Sequence, residues 1–273
     1  MNNVYRENLK EIFQSEWKSK KIWEWILEQN QEENQRLTVV PPFKGELYGI
    51  ANTKIMYVGH AVNGWNELDT TGCTTLENTL DAVLKQSHGL EALVNEKGFP
   101  YKDKNGRNRV YRHINSNFFR LIKQVLEYQN ESDSPTDKTW YHDSKEWQKK
   151  FVWTNLFNIA PRNGGNPDND LIKPFMAQYT EMIKTQIEEY QPDIAIFCPL
   201  SGYFAPWVRE PSFAKVIDHY QECNIDETII GQGHSGKTEI IVCKRPDARG
   251  ISREKVNNMA RCISDYINDN CHK

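Results

Sequence analysis

The sequence predicts an α/β fold, a three-layer α/β/α sandwich around a central four-stranded parallel sheet, with a helical extension at its N-terminus. Two observations carry this expectation. Four short apolar runs recur along the chain, "KIMYV" (Lys54 to Val58), "FVWTN" (Phe151 to Asn155), "IAIFC" (Ile194 to Cys198) and "EIIVC" (Glu239 to Cys243), each with the length and composition of a buried strand. Between them lie stretches with apolar residues at helical spacing, about 74–96, 115–129, 169–190 and 251–268, and a weaker one after Ser201. Strand alternating with helix implies parallel strands covered on both faces.

The extension comes first. Residues 3–35 are polar, with Val4, Leu9, Ile12, Phe13, Trp17, Ile22, Trp23, Trp25, Ile26 and Leu27 spaced as on two helices that pack on a larger body. "VVPPFKGEL" (Val39 to Leu47) then interrupts the chain, because paired prolines cannot continue a helix. The expected division is an extension over 1–45 and a main α/β domain over 46–273.

Near the other end, "GQGHSGKT" (Gly231 to Thr238) spells the letters of a phosphate-binding loop. Such a loop works only where a helix starts and aims its N–H groups at the phosphates. Here the following residues are the strand-like Glu239 to Cys243, and the preceding Glu227 to Ile230 (ETII) is strand-like too. The glycines are therefore expected to shape a turn between two extended segments, with Lys237 a solvated loop lysine or an anion contact. A triphosphate-binding enzyme remains the third functional reading.

Bulk properties narrow the classes. With 273 residues and a net charge of −3, the chain is not a general nucleic-acid coat protein, though a local basic patch is compatible with that charge. The opening "MNNVYRENLKEIF" is charged, unlike a secretory leader, and no apolar run approaches the roughly 20 residues of a membrane span. A soluble cytoplasmic protein without membrane partners is expected; the oligomeric state is open. The six cysteines (Cys73, Cys198, Cys223, Cys243, Cys262, Cys271) form no C-x-x-C pair, so reduced thiols are expected. The seven histidines show no zinc spacing. Neither metal nor cofactor is predicted.

In parallel α/β sheets ligands bind beyond the carboxyl ends of the strands. The segments there are "GHAVNGW", "NLFNIAPRNGGNP", "PLSGY" and "KRPDARG". Their order, together with "RVYRHINSNFFRLI" (Arg109 to Ile122) before a helix, resembles the uracil-DNA glycosylase superfamily over roughly residues 46–270. The resemblance implies a glycine-led first loop, an asparagine ending the second strand, a stacking aromatic before the second helix, and a histidine-proline-serine type loop after the fourth strand. It implies a ligand that is a nucleobase in DNA, or a nucleotide. Some members hold an iron-sulfur cluster on four cysteines; this chain lacks that spacing, and none is expected.

Carried over residue by residue, the resemblance puts Gly59 and Asn63 in the first loop, Tyr111 as the stacking ring, Asn155 as the reader of the base edge and Ser201 in the loop after the third strand, while the paired glycines of "APRNGGNP" (Ala160 to Pro167) let backbone approach a ligand with Arg162 available for a phosphate. Tyr111 could equally anchor its own loop, and Asn155 could cap the strand end through local backbone bonds. The charged groups depart from the family pattern. Where the first loop usually carries an acid or asparagine and then proline, this chain has His60, Ala61 and Val62; where the last loop carries histidine, it has Arg245, Pro246 and Asp247. Histidine and acid have exchanged loops. The expected arrangement is Asp247 orienting His60 as a base for water, with Arg245 stabilising an anionic leaving group or a phosphate. Arg245 and Arg249 could instead be surface ion-pair partners of Asp247.

The basic stretch Tyr101 to His113 interleaves Lys102, Lys104, Arg107, Arg109 and Arg112 with tyrosines, as does a segment that tracks phosphates, or an exposed loop kept soluble by charge. Two functions from different classes follow: recognition of a nucleobase with N-glycosidic hydrolysis, or non-catalytic binding of a nucleic acid or nucleotide.

Overall fold

The computed structural model describes residues 3–17, 19–28, 37–61, 70–85, 99–102, 106–111, 116–129, 147–161, 166–199, 207, 213–247 and 250–271. A seven-stranded sheet runs through the molecule, built from β1 (Phe43–Lys44), β2 (Ile55–Ala61), β3 (Phe151–Phe157), β4 (Ile194–Phe197), β5 (Asp218–Ile225), β6 (Ile229–Ser235) and β7 (Thr238–Cys243). Their spatial order is β5-β6-β7-β4-β2-β3-β1. The central block β7-β4-β2-β3 pairs parallel throughout, and its strands are buried along nearly their whole length, as parallel strands covered on both faces must be.

The expected four-stranded parallel sheet is therefore too small. Antiparallel strands β5, β6 and β1 extend it at both sides, so the sheet is mixed. β1 and β5 lack the apolar signature, while β6 begins within the strand-like Glu227 to Ile230 and runs on to Ser235. Five of the eight residues of β5 are exposed and the other three half-buried, with none buried, and β6 contains Gly231 and Gly233. Those two glycines do not form the turn expected of them. They lie inside β6 because a Cβ on Gly231 would sit 2.4 Å from Tyr220 Oη, and one on Gly233 would sit 2.6 Å from Ile217 Cγ2. The neighbouring strand's side chains cross over them. The hairpin turns instead at Gly236, with φ 59°, and Lys237. No helix springs from Lys237; Thr238 opens β7 directly. The triphosphate reading has lost its structural requirement.

Helices cover both faces: α1 (Asn3–Gln14), α2 (Ile22–Leu27), α3 (Leu76–Lys85), α4 (Asn117–Gln129), α5 (Met176–Tyr190) and α6 (Arg253–Asn270). Alternation along each strand divides the core in two. Met56, Val58, Val152, Ala195, Phe197 and Val242 pack with α1 and α5. Ile55, Tyr57, Phe151, Trp153, Ile194, Ile196 and Ile241 pack with α4 and α6.

Each long helix follows from its sequence. In α1, Tyr5, Leu9, Ile12 and Phe13 fall on one buried stripe. Helix α5 stops at Gln191, which takes a left-handed φ of 45° before Pro192 and donates its N–H to Ile187. Ser252 caps α6 by accepting the Lys255 N–H at 3.2 Å. The expected helix over 74–96 is described from Leu76 to Lys85, and the segment after Ser201 lies mostly outside the described residues.

The 1–45 segment is built into this sandwich. Tyr5, Leu9, Ile12 and Phe13 share a buried cluster with Met56 and Val58, Leu37–Val39 pairs with Ile159–Pro161, and β1 belongs to the main sheet. No helix among the described residues is long and apolar enough to cross a membrane.

Candidate functional site

The parallel block brings the ends of β2 and β3 into register, Gly59 opposite Asn155 and Ala61 opposite Phe157. Gly59 continues the face of Tyr57, and there the core stops being apolar. The Asn155 side chain lies over Gly59: a Cβ added to the glycine would come within 2.5 Å of Asn155 Oδ1 and 3.1 Å of Phe118 Cζ. Glycine is required here for clearance. Asn155 is 2% exposed, and its Nδ2 has no hydrogen-bond partner among the described residues. Since a buried donor left unmade costs about 1–3 kcal/mol, this amide, like the adjacent buried Thr154 hydroxyl, is an unfavourable choice in the strand.

Phe118 closes the same corner. The ring, in the first turn of α4, is half-buried and packs on Tyr57 with centroids 4.3 Å apart and planes inclined at 31°. Its backbone is held at both ends. The Tyr57 hydroxyl donates to the Phe118 carbonyl at 3.0 Å, and the Phe118 N–H donates to Asp247 Oδ1 at 3.1 Å and to Ser116 Oγ at 3.2 Å.

His60 points to the other face. It is 4% exposed and meets Phe157 edge-on at 5.1 Å, while Phe157 in turn meets Tyr179 of α5. Burial first, and the positive charge of Arg245 second, lower the His60 pKa to about 3. The imidazole is therefore neutral at physiological pH. A neutral imidazole is the form a general base needs, but one whose conjugate acid is this strong takes up a proton poorly. The group suits hydrogen bonding better than proton abstraction.

Arg245, half-buried just beyond β7, acts electrostatically on both His60 and Asp247. Asp247 as a residue keeps contact with solvent, yet desolvation of its carboxyl raises its pKa, opposed by Arg245 and by the backbone N–H groups of Phe118 and Asn117. These partners correct one expectation. Among the described residues Asp247 makes no hydrogen bond to His60; its carboxylate caps α4, where the first-turn N–H groups and helix dipole favour an anion.

The structure thus gathers Gly59, Asn155 and Phe118 at one corner of the carboxyl edge, with Asp247 behind Phe118, and Arg245 between Asp247 and a buried His60 on the opposite face. Asn63, Arg162 and Ser201 lie outside the described residues. The backbone of Tyr111 ends a two-stranded hairpin, Phe99–Lys102 with Asn108–Tyr111, opposite Phe99. Sequence reasoning missed Phe118 and Tyr57. The adjacent aromatics in "NSNFF" were the available signal for the first, since one must face the core and the other its rim; Tyr57 carried none, being one apolar residue in a strand. Among the described residues no group of three or more histidine, cysteine, aspartate or glutamate side chains is placed to hold a metal ion. No protein-family model matches the chain, and no curated protein matches it.

Proposed function

We propose that this corner is a pocket for a flat nucleobase with an amide edge of the kind uracil presents, in DNA or in a free nucleotide. The observation that supports it above all is the buried, unpartnered Nδ2 of Asn155 beside a strand glycine and a half-buried aromatic ring. A carboxamide offers a donor and an acceptor side by side and pairs with the N–H and C=O of such a base. A ring such as Phe118 supplies a stacking face, worth about 1–3 kcal/mol per base. A base in DNA reaches such a pocket only by leaving the stack. The basic stretch of sequence with Lys102, Lys104, Arg107, Arg109 and Arg112 has the composition that suits a phosphate backbone.

Hydrolysis would follow the activity of the uracil-DNA glycosylases that the loops resemble. Water oxygen bonds to the sugar C1′, the C1′–N bond breaks, and its electron pair leaves with the base. Arg245 offsets that negative charge, the water's proton passes to solvent, and the freed base is protonated from solvent. Binding without cleavage is the second reading, and one observation favours it: with His60 held near a pKa of 3 and Asp247 committed to α4, the site offers water no strong base.

Oligonucleotides containing uracil, hypoxanthine or a mismatch, scored for abasic sites, separate the two when run beside calorimetric titration with free uracil. Abasic product supports hydrolysis. Uracil binding without product supports the second reading, and absence of both binding and product overturns the pocket.

A further inference from the structure

We infer that Asp247 is a positioning residue for the Phe118 ring, so that the loop after β7 sets the shape of the pocket by way of helix α4. The inference rests on the nucleobase reading for its functional consequence, though the clamp itself does not depend on it.

The geometry joins three elements at one residue. Phe118 is fixed through its N–H by Asp247 and Ser116, and through its C=O by Tyr57 of β2. In a helix the direction of a side chain follows from its backbone, so holding both backbone polar groups of one residue also aims the ring. Ser116 is the local cap, the residue immediately before its own helix. Asp247 is the distant one, 129 positions along the chain, and its carboxylate also receives the Asn117 N–H. Asp247 ties the start of α4 to the loop after β7, as Tyr57 ties it to β2.

The ring has little room for error. Its edge stands 3.1 Å from where a Cβ of Gly59 would lie, so a small rotation changes how much of the corner beside Asn155 is open. Desolvation raises the Asp247 pKa, and the positive charge of Arg245, with the N–H groups of Phe118 and Asn117, opposes that rise and favours the accepting carboxylate. Asp247 need not touch the ligand at all. It differs in this from a residue that handles water or the leaving base.

The test places 4-fluorophenylalanine at position 118 of the full chain and follows its fluorine resonance, with a second sample labelled at Phe119 as control. Asp247→Ala is expected to shift or split the 118 resonance and leave the 119 resonance in place, with uracil binding weakened about tenfold, a loss in the range that stacking supplies. Asp247→Asn keeps an acceptor oxygen and is expected to restore both the resonance and most of the affinity. Should Asp247→Ala not fold, Asp247→Ser, too short to reach Phe118, takes its place. A 118 resonance unmoved in a folded Asp247 variant overturns the inference. Wild-type protein that binds no uracil, while Asp247→Ala still moves the 118 resonance, overturns the pocket reading and leaves the clamp standing.

Discussion

Replacing Asn155 by Leu tests the central anomaly of the site through stability alone. The substitution keeps the heavy-atom count and branch point, with a somewhat larger side chain, while removing a 2% exposed amide whose Nδ2 has no partner among the described residues. Burying such a group costs about 1–3 kcal/mol, and leucine at the same place, packed between Phe118 and the strands, gains the transfer energy of an apolar side chain. The expected outcome is a protein at least as stable as the wild type, and more stable by about 1–2 kcal/mol if the leucine seats without strain. Urea unfolding followed by circular dichroism reads this as a higher midpoint at unchanged slope. In a chain of this size about 1 kcal/mol is roughly 2–4 °C in Tm. The same variant should lose uracil binding completely. A loss of more than about 1 kcal/mol would mean that the amide is satisfied in the folded protein, and the reasoning that makes it a reader of ligand fails.

Three further outcomes follow from the same geometry. Gly59→Ala puts a methyl 2.5 Å from Asn155 Oδ1 and 3.1 Å from the Phe118 ring, so it should destabilise by about 1–3 kcal/mol through overpacking and abolish ligand binding, read by urea midpoint and calorimetry. His60, with a folded pKa near 3 against an ordinary 6.5, binds fewer protons folded than unfolded between those values. Its contribution is intact above about pH 6.5 and is lost as pH falls towards 3, so His60→Phe should flatten the acid limb of a stability-against-pH profile. Arg245→Gln removes the positive charge that helps hold that imidazole neutral, and histidine NMR titration should show the His60 pKa rising, though desolvation, the larger cause, keeps it below 6.5.

The parallel block of the sheet was legible in the sequence for a definite reason. Strands such as Phe151–Phe157, buried at every position, must be continuous apolar runs, and such runs are visible without an alignment. Edge strands are under no such constraint. Asp218–Ile225 has no buried position and passes His219 at a φ of 54° within one register shift, with a second between Glu222 and Ile225; a bulged, polar edge resists pairing with other chains and for the same reason carries no period to read. Gly231 and Gly233 misled because their requirement is tertiary. Only the position of Tyr220 and Ile217 explains them, and nothing within a window of ten residues encodes that.

The site divides along the same line. Gly59 and Asn155 were legible because the fold class alone marks strand ends, and register then makes them neighbours. The partner of Asp247 was not, since the acid near a histidine-bearing strand suggests an orienting pair, whereas the first N–H groups of α4 compete for the carboxylate and win it. That competition has a physical basis. A neutral His60 offers a carboxylate one weak donor at most, while a helix start offers successive backbone donors and a favourable dipole. The same logic bears on what the corner is for. A glycine inside a buried strand, an amide buried without a partner, an imidazole forced neutral and an aromatic ring left half-buried each cost stability where they stand. The parallel strands keep apolar, well-packed positions almost everywhere else along β2 and β3. Thr154 and Asn155 on β3 and His60 on β2 are the buried polar exceptions, and a ligand that paired with the Asn155 amide, as proposed above, would offset part of their cost.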